Sequence, residues 1–167
     1  MSELRIKLMA REAAALMADA QILRRNIFSE SHGAYLLDLL ALEILLKCCV
    51  VIETSVLERG HDYVKLFLKL SSSTRKRLIE SAIARMGPTA DFSDSCSLLA
   101  LYGSNFVNLR YPYEEYAGMS EREYLQLGPE WIERGARVDE ASFNFQPNEL
   151  QGLLFALYAF TEERFTS

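Results

Sequence analysis

The feature that most constrains the fold is an apolar stretch at residues 33–52, interrupted by Asp38, Glu43 and Lys47. Each of these charges would cost about 2.5 to 3.5 kcal/mol at the centre of a bilayer, so we exclude a membrane span. As a helix from about His32 to Glu58, the segment is apolar almost all round, and such a helix must be covered on every side. It therefore forms the centre of a bundle, half of a subunit interface, or both.

Helical periodicity recurs on both sides of this segment. A first helix is predicted over about residues 3–27, and Arg59-Gly60 is expected to end the second. A short segment from His61 is followed by a helix that Gly87-Pro88 ends. The next helix should end at Arg110-Tyr111, because the proline at position 112 disfavours helical geometry in the residue before it.

The remainder of the chain is less regular. Ser120 opens a short helix with a capping box, which Gly128-Pro129 is expected to end. Residues 138–145 alternate weakly, as an extended segment does, and Pro147 suits the first turn of a last helix. The sequence predicts one all-α domain, a bundle of about five helices with an irregular insertion at about residues 116–146.

Length and composition favour one globular domain inside the cell. The chain has 167 residues, half of them hydrophobic, which is enough to build a core. It begins without the basic and apolar segments of a signal peptide, so we expect a cytoplasmic protein. Cys48, Cys49 and Cys96 are odd in number and lie in apolar patterns, which predicts reduced, buried thiols and no metal site. No cofactor is predicted either.

Charge is unevenly distributed along the chain. The net charge of −5 excludes a wholly basic protein that coats nucleic acid, but residues 59–85 carry +5 and residues 112–167 carry −7. A polyanion could therefore meet one face while the rest of the molecule repels it. The alternative is that the basic segment is an ordinary solvated helix face.

The sequence lacks a phosphate-binding glycine loop, paired metal-ligating cysteines and a nucleophile elbow. Its two histidines are His32 and His61. They flank opposite ends of the second predicted helix, which would place them about 40 Å apart. We therefore expect them not to share a site.

One polar and aromatic cluster stands out at the end of the predicted fourth helix. An arginine offers five donors in a planar fork suited to phosphate, and tyrosines can stack a base and still form hydrogen bonds. The alternative is that the arginine pairs with Glu114 or Glu43 and only ties down the helix end. The candidate ligand-binding residues are Asn105, Asn108, Arg110, Tyr111 and Tyr113, followed by Glu114 and supported by Glu43 and Lys47.

Three segments resemble the HEPN family of helical nucleotide-binding domains. The stretch AYLLDLLALEILLK at residues 34–47 is similar to the family's second helix. HDYVKL at residues 61–66 resembles the start of its next helix, and FVNLRYPYE at residues 106–114 resembles its late-helix motif. The likeness spans about residues 5–114 and the final helix.

The resemblance implies a bundle that commonly dimerises, here through apolar helices, with a cleft between subunits. Many members are metal-independent RNases in which an arginine is followed after four to six residues by a histidine base. Arg110 matches the arginine, but the histidine positions hold Glu115, Tyr116 and Ala117. General-base catalysis contributes about 10² to 10⁴ in rate, so its absence favours a branch without nuclease activity.

Three functions follow as hypotheses. The first is a dimeric module that binds a nucleotide or RNA without cutting it; the resemblance implies a toxin–antitoxin or phage-defence system with a partner protein. The second is a metal-independent endoribonuclease that uses Arg110 with an unconventional base such as Glu114 or Tyr116. The third is an interaction module in which the apolar second helix is the partner surface.

Overall fold

A computed structural model describes residues 3–25, 31–137, 140–141 and 143–166, and within these ranges it contains helices and no strand. The predicted all-α class is confirmed. The described residues form seven α-helices and two short 3₁₀ helices, the latter at Gly87–Thr89 and Pro112–Tyr116. The α-helices are α1 (Glu3–Arg25), α2 (Gly33–Thr54), α3 (Tyr63–Leu68), α4 (Ser72–Met86), α5 (Ser95–Asn108), α6 (Glu121–Glu133) and α7 (Pro147–Thr166).

Helix α2 is the centre of the bundle. Its residues from Asp38 to Val51 are almost all buried, and α1, α3, α5 and α7 pack around it. Complete burial of one leucine-sized side chain contributes about 1.5 to 3 kcal/mol, so this helix supplies much of the driving force for folding. The apolar surface of α2 is therefore covered within the chain. It is not the exposed partner surface that the third hypothesis requires.

The end of α2 lies earlier than the sequence predicted. The helix ends at Thr54, and Ser55 adopts the left-handed conformation (φ 60°) with its N–H donating to the Val51 carbonyl. The chain turns back from this point, so that His61 lies beside Glu43 in the middle of α2. Glu43 follows His32 by only 11 residues, or about 16 Å along the axis. The predicted separation of about 40 Å between the two histidines is therefore wrong.

Helix α6 is longer than predicted. Ser120 and Glu123 form the expected capping box, but the helix continues through Gly128-Pro129 to Glu133. An interior proline removes one backbone donor, here the partner of the Leu125 carbonyl. Leu125 is exposed, so water can donate a hydrogen bond to its carbonyl. A proline that would break a buried helix is tolerated in this exposed one.

The segment before α7 is not a strand where it is described. Residues 140–141 and 143–146 form no strand, and Val138, Asp139 and Ser142 of the predicted extended segment lie outside the described residues. The last helix begins at Pro147, as predicted. Within the described ranges, no helix is long and apolar enough to cross a membrane.

The three cysteines are free thiols. Cys48 and Cys49 are buried in α2, as predicted, whereas Cys96 at the start of α5 is only half-buried. Burial raises the pKa of the Cys48 thiol to about 12. The same cause raises the pKa of Cys49 further, so both thiols are protonated and unreactive at neutral pH.

Candidate functional site

Arg110 lies exposed, two residues beyond the end of α5. Its side chain turns back over the ring of Phe106, with the guanidinium carbon 4.9 Å from the ring centroid. This is a cation–π arrangement, which holds the side chain while leaving the guanidinium donors to solvent. Among the residues described, no carboxylate forms a salt bridge with Arg110.

Glu43, one of the two acids expected as possible partners of Arg110, is occupied elsewhere. Its carboxylate is buried, and its Oε1 lies 2.7 Å from Lys47 Nζ and 2.8 Å from His61 Nδ1. Its other oxygen is buried and has no hydrogen-bond partner in the described part of the chain. Glu43 and Lys47 thus form the predicted i,i+4 pair, and His61 joins them, a contact that no sequence pattern indicated.

Tyr63 packs beside Phe106, the ring that Arg110 covers, with the two ring centroids 6.3 Å apart. It is buried, and its hydroxyl donates to the Leu39 carbonyl at 3.0 Å. Burial raises the pKa of the Tyr63 hydroxyl; Glu43 adds to that rise, and the positive charge of Arg110 opposes it. Glu43 and Arg110 thus both influence this hydroxyl, but they form no salt bridge with each other in the described structure.

The two candidate asparagines have different environments. Asn105 is buried, and its amide nitrogen donates to Tyr35 Oη at 3.1 Å and to the Asn144 carbonyl at 2.7 Å. A ligand could reach this amide only by displacing both bonds. Asn108 is exposed, and it donates to Ser104 Oγ at 3.2 Å. Asn108 therefore shares the exposed surface with Arg110, whereas Asn105 belongs to the interior.

Tyr111 and Tyr113 are both exposed, with their rings edge-to-face and the centroids 6.2 Å apart. A hollow of about 290 Å³ lies beside Tyr111. Two acids line it, so it is unsuited to a phosphate. Its lining residues are Val107, Asn108, Tyr111, Glu114 and Glu115. Glu114 thus lies near the Arg110 segment but forms no salt bridge with the arginine in the described structure.

A larger cavity of about 570 Å³ opens on the other side of Tyr113. It is lined almost wholly by rings, and we call it the aromatic cleft: His32, Pro112, Tyr113, Tyr116, Tyr124, Phe143 and Phe145. The sequence indicated this site only in part. The sequence shows several tyrosines soon after Arg110. Three other lining residues come from distant segments that only the fold brings together: His32, Phe143 and Phe145.

The basic segment at residues 59–85 is partly neutralised. Lys69 pairs with Glu58, and Arg77 pairs with Glu163 of α7. Lys65 and Lys76 have acidic partners within one helical turn. These pairs reduce the positive charge of the segment, which favours the solvated helix face over a surface for polyanions. Arg59, Arg75 and Arg85 form no salt bridge in the described structure, and neither does Arg110, but Arg110 is followed by two exposed tyrosines.

The site therefore contains an exposed cation, two exposed tyrosines and a neighbouring aromatic cavity. Within the described residues, no group of three histidine, cysteine or acidic side chains could hold a metal ion. The arrangement is suited to holding an anion and a planar ring by contact. Among the described residues, no side chain that could act as a base is paired with Arg110.

No family model, curated protein or solved structure matches the chain. The resemblance to HEPN domains therefore depends on the three short segments alone. An assignment of function has to come from the geometry around Arg110.

Proposed function

We propose that this protein is a HEPN-like module that binds a nucleotide or single-stranded RNA at the surface of Arg110, Tyr111 and Tyr113 without cleaving it. The observation that supports it is the state of Arg110, which is exposed, positioned over Phe106 and free of a described carboxylate partner. A guanidinium in this state can direct its donors at a phosphate.

The tyrosines supply the second half of the proposed site. Tyr111 and Tyr113 flank Pro112 and are more than half exposed, at 55% and 62%. Exposed aromatic faces beside a cation are the combination that proteins use to bind single strands without reading their sequence. Asn108 is exposed and lines the hollow beside Tyr111, where it can add a hydrogen bond.

The proposal of binding without cleavage depends on the missing base. Positions 115–117 hold no histidine, and Glu114 and Glu115 are exposed carboxylates around the hollow beside Tyr111. Both carboxylates face solvent, and in the described structure neither is held beside Arg110 by a salt bridge, so neither replaces the positioned histidine.

The experiment measures the affinity of the purified protein for a fluorescein-labelled single-stranded RNA and for adenosine monophosphate (AMP). Arg110→Ala should weaken both by about 10- to 150-fold, the value of a hydrogen bond to a charged group. Arg110→Lys should recover part of the loss, since it keeps the charge but not the planar fork.

Arg85→Ala is the matched control. Arg85 lies on α4 and is also exposed. Its guanidinium carbon lies 4.9 Å from the centroid of the Phe155 ring. Its replacement removes the same charge and the same cation–π contact from the basic segment. Equal losses in the two variants would show binding by overall charge and would overturn the proposal, as would no affinity for either ligand in the unaltered protein.

We also propose that the protein forms a homodimer, and that the Arg110 surface lies at its interface. Since α2 is covered within the chain, a dimer has to use other apolar side chains. Val107, Tyr111 and Tyr113 are each more than half exposed around Arg110. Sedimentation velocity should show a dimer that Val107→Glu converts to a monomer, and a monomeric unaltered protein would contradict this part of the proposal.

A further inference from the structure

We infer that the aromatic cleft is a seat for one nucleobase of the nucleotide or RNA strand whose phosphate Arg110 binds. The inference rests on the proposed function and deepens it by assigning the base to a site separate from Arg110. None of the residues that line the cleft is a carboxylate, and the lining offers five aromatic rings, one imidazole and the edge of a proline.

One wall of the cleft is held rigidly by side chains of the core. Phe143 and Phe145 form this wall, and the main chain beside them is fixed at three successive carbonyls. Tyr35 Oη donates to Phe145 O at 2.7 Å, Asn105 Nδ2 to Asn144 O at 2.7 Å, and Tyr102 Oη to Gln146 O at 2.8 Å. A wall fixed before binding lowers the entropy cost of binding.

The opposite wall is continuous with the Arg110 segment. Tyr113 and Tyr116 lie on the 3₁₀ helix that begins at Pro112, and Tyr116 meets Tyr124 of α6 edge-to-face with the centroids 5.1 Å apart. Tyr113 follows Arg110 by three positions, so their Cα atoms lie at most about 11 Å apart. The main chain therefore brings the cleft close to Arg110, and we infer that one ligand spans the two.

His32 closes the cleft at the N-terminus of α2. Its ring lies 5.5 Å from that of Phe145 and 6.3 Å from that of Phe143, centroid to centroid. The imidazole and the hydroxyls of Tyr113, Tyr116 and Tyr124 are the polar groups of the lining.

The chemistry of the lining favours a nucleobase over an aliphatic ligand. A volume of about 570 Å³ is within the range of small-molecule sites. Aromatic rings stack any base through its π-face, and the hydroxyls and the imidazole can meet the polar edge of a base. An aliphatic chain would use neither the π-faces nor these polar groups.

The experiment compares AMP with ribose 5-phosphate by titration calorimetry. The two share the ribose and the phosphate, and only AMP carries a base. AMP should bind to the unaltered protein at least about 10-fold more tightly. Equal affinities would overturn the seat, because the base would then contribute nothing.

Substitutions of the residues that line the cleft test where the base binds. Tyr124→Leu and Tyr116→Leu remove a ring on the accessible wall and should weaken AMP binding by about 5- to 150-fold. Affinity for ribose 5-phosphate should not change. Phe155→Leu is the matched control, because it removes a partly exposed ring on α7 outside the cleft. Both tyrosine variants binding AMP as tightly as the control would overturn the seat.

The results also separate this inference from the proposed function. If Arg110→Ala weakens both AMP and ribose 5-phosphate while the tyrosine variants change neither, the seat is wrong and the proposed function stands. If no ligand binds at all, both are wrong. A four-nucleotide single-stranded RNA distinguishes the sources of the base: losses in the tyrosine variants for both RNA and AMP would show that the seat accepts a base from a strand, and losses for AMP alone would assign the seat to a free nucleotide.

Discussion

The side-chain amide of Asn105 donates to the main-chain carbonyl of Asn144 at 2.7 Å, across 39 residues of sequence. The same nitrogen also donates to Tyr35 Oη, which in turn donates to the Phe145 carbonyl. One buried amide therefore joins α5, α2 and the segment before α7. That segment carries Phe143 and Phe145, so Asn105 acts on the aromatic cleft by holding its wall in place.

Asn105→Ala should lower the free energy of unfolding by about 1 to 3 kcal/mol, because it leaves the partly buried Asn144 carbonyl without a described donor. Urea denaturation followed by circular dichroism gives the measurement. Asn108→Ala, an exposed asparagine on the same helix, is the control and should change stability by less than about 0.5 kcal/mol. Similar values for the two variants would contradict the role assigned to Asn105.

Two helical glycines should respond in opposite directions to replacement by alanine. A Cβ on Gly152 in α7 would lie 2.8 Å from Phe92 Cζ and from Met86 Cγ, whereas a Cβ on Gly103 in α5 would meet nothing within 4 Å. Overpacking costs about 1 to 3 kcal/mol, which exceeds the gain of about 1 kcal/mol in helix propensity. Gly152→Ala should therefore destabilise the protein.

Gly103→Ala should instead stabilise the protein by about 0.5 to 1 kcal/mol, since only the propensity gain applies there. Thermal denaturation of the pair tests both signs in one experiment. A melting temperature that rises in Gly152→Ala would mean that Phe92 and Met86 move aside at little cost. The conclusion that α7 packs closely against the end of α4 would then be wrong.

Much of the fold follows from the sequence because its dominant signal is local. Because α2 is apolar on every side, other helices have to pack around it, and α2 does lie at the centre of the bundle. The capping box at Ser120 is equally local and was correct. The errors lie where tertiary context decides. Ser55 in the left-handed conformation ends α2 earlier than predicted. Helix α6 continues beyond Pro129 because this helix is exposed.

The candidate site could be predicted only in part, for the same reason. Arg110, Tyr111 and Tyr113 are neighbours in sequence, so their exposure on one surface needed no long-range information. The cleft needs Phe143 and Phe145 to meet His32, and nothing local indicates that contact. The partnership of Glu43 with His61 was missed because it depends on the chain turning back at Ser55.

Asp38 should make the stability of the protein depend on pH. Its carboxylate is 1% exposed, and Arg24 and Gln151 donate to one oxygen while the other has no described partner. Burial raises the pKa of Asp38 above the ordinary value of 3.8, although both donors oppose the rise. In the window between the unfolded and the folded pKa, the native state holds a proton that the unfolded chain releases.

The contribution of Asp38 to stability should therefore increase as the pH falls through its folded pKa, by up to about 1.4 kcal/mol per pH unit. The measurement is the difference in unfolding free energy between the unaltered protein and Asp38→Asn, from pH 7 to pH 4. This difference should shift in favour of the unaltered protein as the solution is acidified. A shift in the other direction would mean that the charge of Arg24 outweighs burial and lowers the pKa.

RNA should remain intact in the presence of the protein. The positions where the HEPN motif that this segment resembles carries a histidine hold Glu115, Tyr116 and Ala117, and the loss of a positioned base costs about 10² to 10⁴ in rate. A labelled single-stranded RNA, incubated with the folded protein in EDTA and run on a denaturing gel, should show no cleavage beyond the buffer control. The result most damaging to this expectation is cleavage that His61→Ala abolishes and His32→Ala preserves. Because His61 Nδ1 is held 2.8 Å from the buried Glu43 carboxylate and its ring is exposed, that outcome would make the His61–Glu43 pair the base.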